Sequence, residues 1–103
     1  MVITIKKDAN NKYTFNLKAK SGSILLNSIT FNDEVEATKT VNNLKYNNEK
    51  ELIFERKTNF DGKFLFNLKN RKGQLIGSSK LYDSEAGLEN GITNTKESIL
   101  SIP

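Results

Sequence analysis

The chain has 103 residues, a formal net charge of +4, 36% hydrophobic and 27% charged side chains, which fits one globular domain and leaves no room for two ordinary cores. It contains no Cys and no His, which excludes disulfides, thiolate nucleophiles and sulfur-held zinc, and removes the usual near-neutral general base and the commonest nitrogen ligand. No apolar run approaches the length that spans a bilayer, and Met1–Lys7 lacks the order of a signal peptide, so a soluble, cytoplasmic protein is expected.

The first apolar stretch, Val2–Ile5, reads as a strand. Asp8-Ala9-Asn10-Asn11 follows, a connection that contains residues tolerating positive φ, as a tight hairpin requires. Tyr13, Phe15 and Leu17 then alternate with Thr14, Asn16 and Lys18, the pattern of a strand with one buried and one wet face. Lys20-Ser21-Gly22 turns the chain into a third strand, Ser23–Ser28, whose apolar run Ile24-Leu25-Leu26 leaves its buried face open. At Asp33 the period changes. Asp33-Glu34-Val35-Glu36 has the spacing of a capping box, and Ala37, Val41 and Leu44 continue at helical intervals.

The same series then recurs. Shifting the chain by 51 residues aligns Tyr13-Thr14-Phe15-Asn16-Leu17-Lys18 with Phe64-Leu65-Phe66-Asn67-Leu68-Lys69, and the register holds without a gap from Lys12/Lys63 to Lys45/Lys96. The second copy supplies a strand at Leu52–Phe54, a turn at Asn59-Phe60-Asp61-Gly62, the central strand, a turn at Arg71-Lys72-Gly73 and a third strand at Gln74–Ser79. Ser84 is the matching helix cap, with Leu88, Ile92 and Ile99 on the buried stripe. Phe31 and Tyr82 precede the two caps, where an aromatic ring staples a helix to the sheet. Gly87 and Gly91 each cost roughly 1 kcal/mol against Ala, a cost that close helix-to-sheet approach would explain. Ile99-Leu100-Ser101-Ile102 reads as a short additional strand.

Each copy offers one strand face and one helical stripe, too little to fold alone. The expected architecture is therefore α+β: one domain over residues 1–103, built of repeats 1–51 and 52–103, with an antiparallel sheet of about six or seven strands and both helices packed on one face. An approximate twofold relates the halves. Charge follows the repeat: residues 1–31 carry five Lys against one Asp, and 52–82 carry seven Lys or Arg against two acids. The intervening segments, 32–51 and 83–103, are net acidic, with three Lys against five acids and one Lys against four.

Phe54-Glu55, Asp61-Gly62-Lys63-Phe64, Phe66-Asn67-Leu68-Lys69, Gly73-Gln74, Ile76-Gly77, Ser79, Tyr82, Ser84 and Asn90-Gly91-Ile92 stand in the order of a known family. On these motifs the chain resembles the YegP-like family of small bacterial proteins, over nearly its whole length. The resemblance implies tandem or dimerised β-β-β-α units in one sheet, with terminal strands exchanged between units, and it implies no established biochemical function. The first copy departs from the family pattern at Leu26, Asn27 and Thr40, and Arg56 occupies a position where alternation from Phe54 calls for a core residue.

Six residues are candidates for ligand binding: Asn16, Lys18, Asn67 and Lys69 on the wet sheet face, and Arg71 and Lys72 in the adjoining turn; Lys20 stands at the equivalent turn of the first copy. Lys and Arg attract phosphate and Asn hydrogen-bonds bases or sugars, so an anion or nucleic acid is the ligand such a face would take. Against this, the outward positions carry no aromatic platform for base stacking, and Lys and Asn also serve simply to solvate a sheet. Glu34/Glu36 and Glu49/Glu51 read as solvated helix-end charges, and Asp8 and Asp61 as turn formers. Neither Ser21-Gly22-Ser23 nor Gly77-Ser78-Ser79 is a phosphate loop or nucleophile elbow. No catalytic residue, metal ligand or cofactor is expected. The expected role is a non-enzymatic protein-interaction or structural module, monomeric or dimeric, that works with a protein partner and not in a membrane; anion or nucleic-acid binding is the alternative.

Overall fold

A computed structural model describes residues 3–46 and 52–103; Val2, Glu49 and Glu51 lie outside the described residues. The chain runs β1 (Ile3–Lys7), β2 (Tyr13–Lys18), β3 (Ile24–Ser28), α1 (Glu34–Tyr46), β4 (Leu52–Thr58), β5 (Phe64–Asn70), β6 (Leu75–Ser79) and α2 (Glu85–Leu100). All pairings are antiparallel, in the order β1-β2-β3-β6-β5-β4. The expected α+β architecture holds, with six strands and two helices among the described residues.

Local chemistry repeats at the 51-residue offset. Asp8 Oδ1 accepts from the backbone N–H of Asn10 and Lys12 at 2.8 and 2.9 Å, and Asn59 Oδ1 accepts from Asp61 and Lys63, both at 3.0 Å. Each of these turns closes through a residue of positive φ, Asn11 at 61° and Gly62 at 77°, as the sequence anticipates. The helix starts also match. Asp33 Oδ1 accepts from Glu36 N–H at 2.8 Å, and Ser84 Oγ accepts from Gly87 N–H at 3.0 Å.

The third strands, ambiguous in sequence, are placed by a bulge. Register shifts between Leu17 and Lys18, and between Leu68 and Lys69, so Lys18 faces Ile24 and Lys69 faces Leu75. Leu26 and Ile76 thereby enter the core, while Ile24 remains 41% exposed. Phe15, Leu17, Leu26, Phe66 and Leu68 from the sheet form one cluster with Ala37, Val41 and Leu44 of α1 and Leu88, Ile92 and Ile99 of α2. Both helices therefore cover the same sheet face. Each large side chain buried there contributes about 1.5–3 kcal/mol before entropy is counted.

The halves join at β3 and β6. Asn27 pairs with Ser78, flanked by Leu26 opposite Ser79 and Ser28 opposite Gly77, so the approximate twofold passes through the Asn27–Ser78 pair. The strands of each repeat stay contiguous, and among the described residues no strand is exchanged between units, contrary to what the family resemblance implies. The second helix spans the joint instead. Ser98 Oγ of α2 donates to the carbonyl of Lys18, tying the second helix to the first repeat's hairpin, and α1 lies beside the β5–β6 turn of the second repeat.

A second correction concerns the C-terminus. Residues Ile99–Ile102 form no strand: α2 continues through Leu100, Ser101 ends it, and Ile102 is buried. The stripe Ile92, Thr95, Ile99 keeps helical spacing to the end, so burial favours helix over strand there.

Candidate functional site

Residues facing away from the helices form a polar row across all six strands. Thr4 pairs with Asn16, Asn16 with Asn27, Asn27 with Ser78, Ser78 with Asn67, and Asn67 with Glu55. This is the face expected to be wet, and the parity is right. Its availability is not. Asn16 is only 6% exposed, so its amide is out of reach of a large ligand. Asn67 Oδ1 accepts from Ser78 Oγ at 2.6 Å. Lys69 Nζ lies 3.1 Å from both carboxylate oxygens of Glu55, and the hydrogen bond from Lys69 holds the Glu55 carboxyl below its ordinary pKa. Lys57 stands 3.6 Å from the same carboxylate. The second-repeat half of the face is thus already committed internally.

The remaining candidates separate into two clefts, each of about 700 Å³, where a helix of one repeat meets the hairpin turn of the other. Arg71 and Lys72 line the first with Glu36, Lys39, Thr40, Asn43 and Leu44 of α1, above an apolar floor that includes Phe31 and Ile76. Lys18 lines the second with Lys20, Ser21, Gly22 and, from α2, Asn94, Glu97, Ser98 and Ser101. The structure therefore brings Arg71 and Lys72 together, places Lys18 on the opposite cleft, and leaves Asn16, Asn67 and Lys69 on the sheet.

Within the first cleft, Asn70 Nδ2 donates to Gln74 Oε1 at 2.8 Å, and Asn70 Oδ1 accepts from Lys72 N–H and Gln74 N–H. Thr40 Oγ1 donates to the Glu36 carbonyl. Lys39 and Asn43, which sequence reading passed over, complete the rim. Their signal was weak because a cleft between segments some thirty residues apart leaves no periodic trace in the sequence.

Other ion pairs lie outside both clefts. Arg56 Nε and Nη2 donate to Glu89 at 2.6 and 2.8 Å, which explains a charged residue at a core-parity position: it reaches over the edge of β4 to α2. The pair raises the Arg56 pKa and lowers that of Glu89. Lys63 binds Asp83 and lowers the pKa of its carboxyl, where in the first repeat the Lys12 ammonium donates to the neutral Asn32 amide at 2.8 Å. Among the described residues, no group of three or more Asp and Glu is positioned to hold a metal ion. No described helix is long and apolar enough to cross a membrane.

Residues 60–99 match a family model described as a domain of unknown function, DUF1508. The UPF0339 protein YegP of Escherichia coli strain K12 is 36% identical over 92 residues, covering 89% of this chain and 84% of that protein. Two solution NMR structures share the fold. The E. coli yegP structure, titled a protein of unknown function, has a TM-score of 0.85 at 34% identity and covers 95% of this chain and 84% of its own. UPF0339 protein SO3888 from Shewanella oneidensis has a TM-score of 0.83 at 28% identity, over 96% and 86% of the two chains. With its paired β-β-β-α units and this similarity over most of both lengths, the chain belongs to the UPF0339 family, the YegP-like proteins.

Proposed function

We propose that this protein is a non-enzymatic interaction module that engages a protein partner in the cytoplasm. The observation that carries the reading is a separation of chemistry from shape. The three carboxylates with displaced pKa, Glu55, Asp83 and Glu89, owe the displacement to Lys69, Lys63 and Arg56 respectively, and none of them lines a cleft. Enzymes place such groups in concave surfaces. Here the first cleft instead combines an apolar floor with a rim of charged, amide and hydroxyl groups, which suits recognition of a polypeptide.

Anion or nucleic-acid binding through the sheet face is the weaker reading, because Lys69 and Asn67 are occupied by Glu55 and Ser78. Affinity capture from the native host, followed by titration of the purified captured protein against this chain, tests the proposal. A saturable one-to-one complex is the expected result. Turnover in a general hydrolase screen, with no partner captured, contradicts it.

A further inference from the structure

The two clefts coincide only in part under the 51-residue offset, at Ala19/Asn70, Lys20/Arg71, Ser21/Lys72 and Asn43/Asn94, and they differ in charge. Among the described residues, the first carries Lys39, Arg71 and Lys72 against one acid, Glu36. In the second, Asn90 stands at the position equivalent to Lys39, outside the lining, and Glu97 faces Lys18 and Lys20. The ammonium groups of Lys39 and Lys72, both on exposed residues, have no partner among the described residues. Beside them lie two apolar side chains left open to solvent, Ile29 at 37% and Leu75 at 40% exposure. Asn70 and Gln74 are bonded to each other, whereas the Asn43 side-chain amide has no hydrogen-bond partner among the described residues.

Resting on the interaction reading above, we infer that the α1/β5–β6 cleft docks an acidic polypeptide segment in which carboxylates alternate with aliphatic side chains. Carboxylates meet Lys39 and Lys72, aliphatic groups cover Ile29 and Leu75, and the Asn43 amide takes a backbone group. A polynucleotide fits less well. The aromatic ring in the cleft, Phe31, is buried and offers no stacking platform, and Glu36 interrupts the cationic rim that a phosphate ladder would follow. The second cleft, with Glu97 against Lys18 and Lys20, offers less positive charge and, among the described residues, no leucine or isoleucine side chain. One segment per chain follows.

An alternating Glu–Leu octapeptide, titrated into the full chain and followed by amide NMR shifts and fluorescence anisotropy at low salt, tests this. The expected result is one-to-one binding, with shifts centred on Thr40, Asn43, Gln74 and Leu75. Affinity falls about tenfold in Lys39→Glu/Lys72→Glu and stays within about twofold in Lys18→Glu/Lys20→Glu. The inference is overturned if the peptide produces no shifts at the cleft, if the second pair of substitutions costs as much as the first, or if an oligothymidylate binds more tightly through the same lysines. If a purified native partner binds the Lys39→Glu/Lys72→Glu protein as well as the unmodified one, the cleft inference fails while the interaction reading stands.

Discussion

Tyr82 lays its ring across Gly91. A Cβ at position 91 would overlap the Tyr82 hydroxyl and Cζ and stand 3.0 Å from Cε1, so the absence of a side chain there is what lets α2 close onto the sheet. Sequence reading placed glycine in this helix at a cost and guessed at close approach; the ring is what approaches. The first repeat has the complementary pair, Phe31 without a hydroxyl and Thr40 with a Cβ. We predict that Gly91→Ala destabilises by about 1–3 kcal/mol despite the better helix propensity of Ala, because overlap with a rigid ring outweighs it. Thermal denaturation should show Tm lower by about 4–8 °C per kcal/mol, and a double-mutant cycle with Tyr82→Ala should show coupling.

Tyr82 Oη is buried with no hydrogen-bond partner among the described residues, and burial raises its pKa above the ordinary 10.0. A raised pKa contributes stability that is complete below pH 10.0 and is lost as pH climbs through the folded-state value. Tyr82→Phe should therefore remove part of the alkaline loss and leave neutral stability equal or higher by up to about 1 kcal/mol. The carboxylates behave oppositely. Glu55 and Glu89, lowered from 4.5, and Asp83, lowered from 3.8, stabilise above those values and lose the contribution as pH falls through their depressed ones. Denaturant midpoints across pH, with Glu89→Gln as a comparison, should show the acid limb shrink when the Arg56 pair is removed.

Gly77 marks the joint between the repeats. A Cβ there would stand 2.5 Å from the Asn27 carbonyl oxygen and 3.0 Å from Ser28 Cα, both backbone atoms that cannot swing aside. Gly77→Ala should cost more than about 2 kcal/mol and weaken the β3–β6 ladder first, read as faster amide exchange at Asn27 and Ser78 than at Phe15. At the equivalent position, Leu26 is fully buried in the core, so Leu26→Ala should cost about 2–5 kcal/mol by leaving a cavity.

How much of this was legible follows from which signals are local. The pairs Tyr13/Phe64 and Asn11/Gly62 carry alternation and turn chemistry within a few residues, so strands, turns, caps and the duplication were readable, and with them the one-sided sheet. The bulge after Leu17 is a backbone event with no residue signature, so the third strand's face was not. Asn16 looked wet because parity says which way a side chain points and nothing about what stands over it. The clefts need α1 and the β5–β6 turn together, a juxtaposition set by the joint at Asn27–Ser78, and the candidates Arg71 and Lys72 were found while their neighbour Lys39 was not.

Lys69 separates the two ligand readings in one substitution. Because its ammonium is already held by Glu55, Lys69→Gln should leave oligonucleotide retention across a salt series unchanged within about twofold, while removing the cation that lowers the Glu55 pKa, so that neutral stability falls and the loss towards acid pH becomes smaller. A steep loss of retention would return the sheet face to consideration.

The central structural claim is that neither repeat buries its apolar face without the other, since Ser98 of α2 is bonded to Lys18 and the side chains of both repeats share one core cluster. Residues 1–51 and 52–103, expressed separately and followed by chemical denaturation with sedimentation analysis, test it most directly. Neither fragment should unfold cooperatively as a monomer, and mixing them should restore one cooperative transition. Two separately folded, cooperative monomers that ignore each other would contradict it.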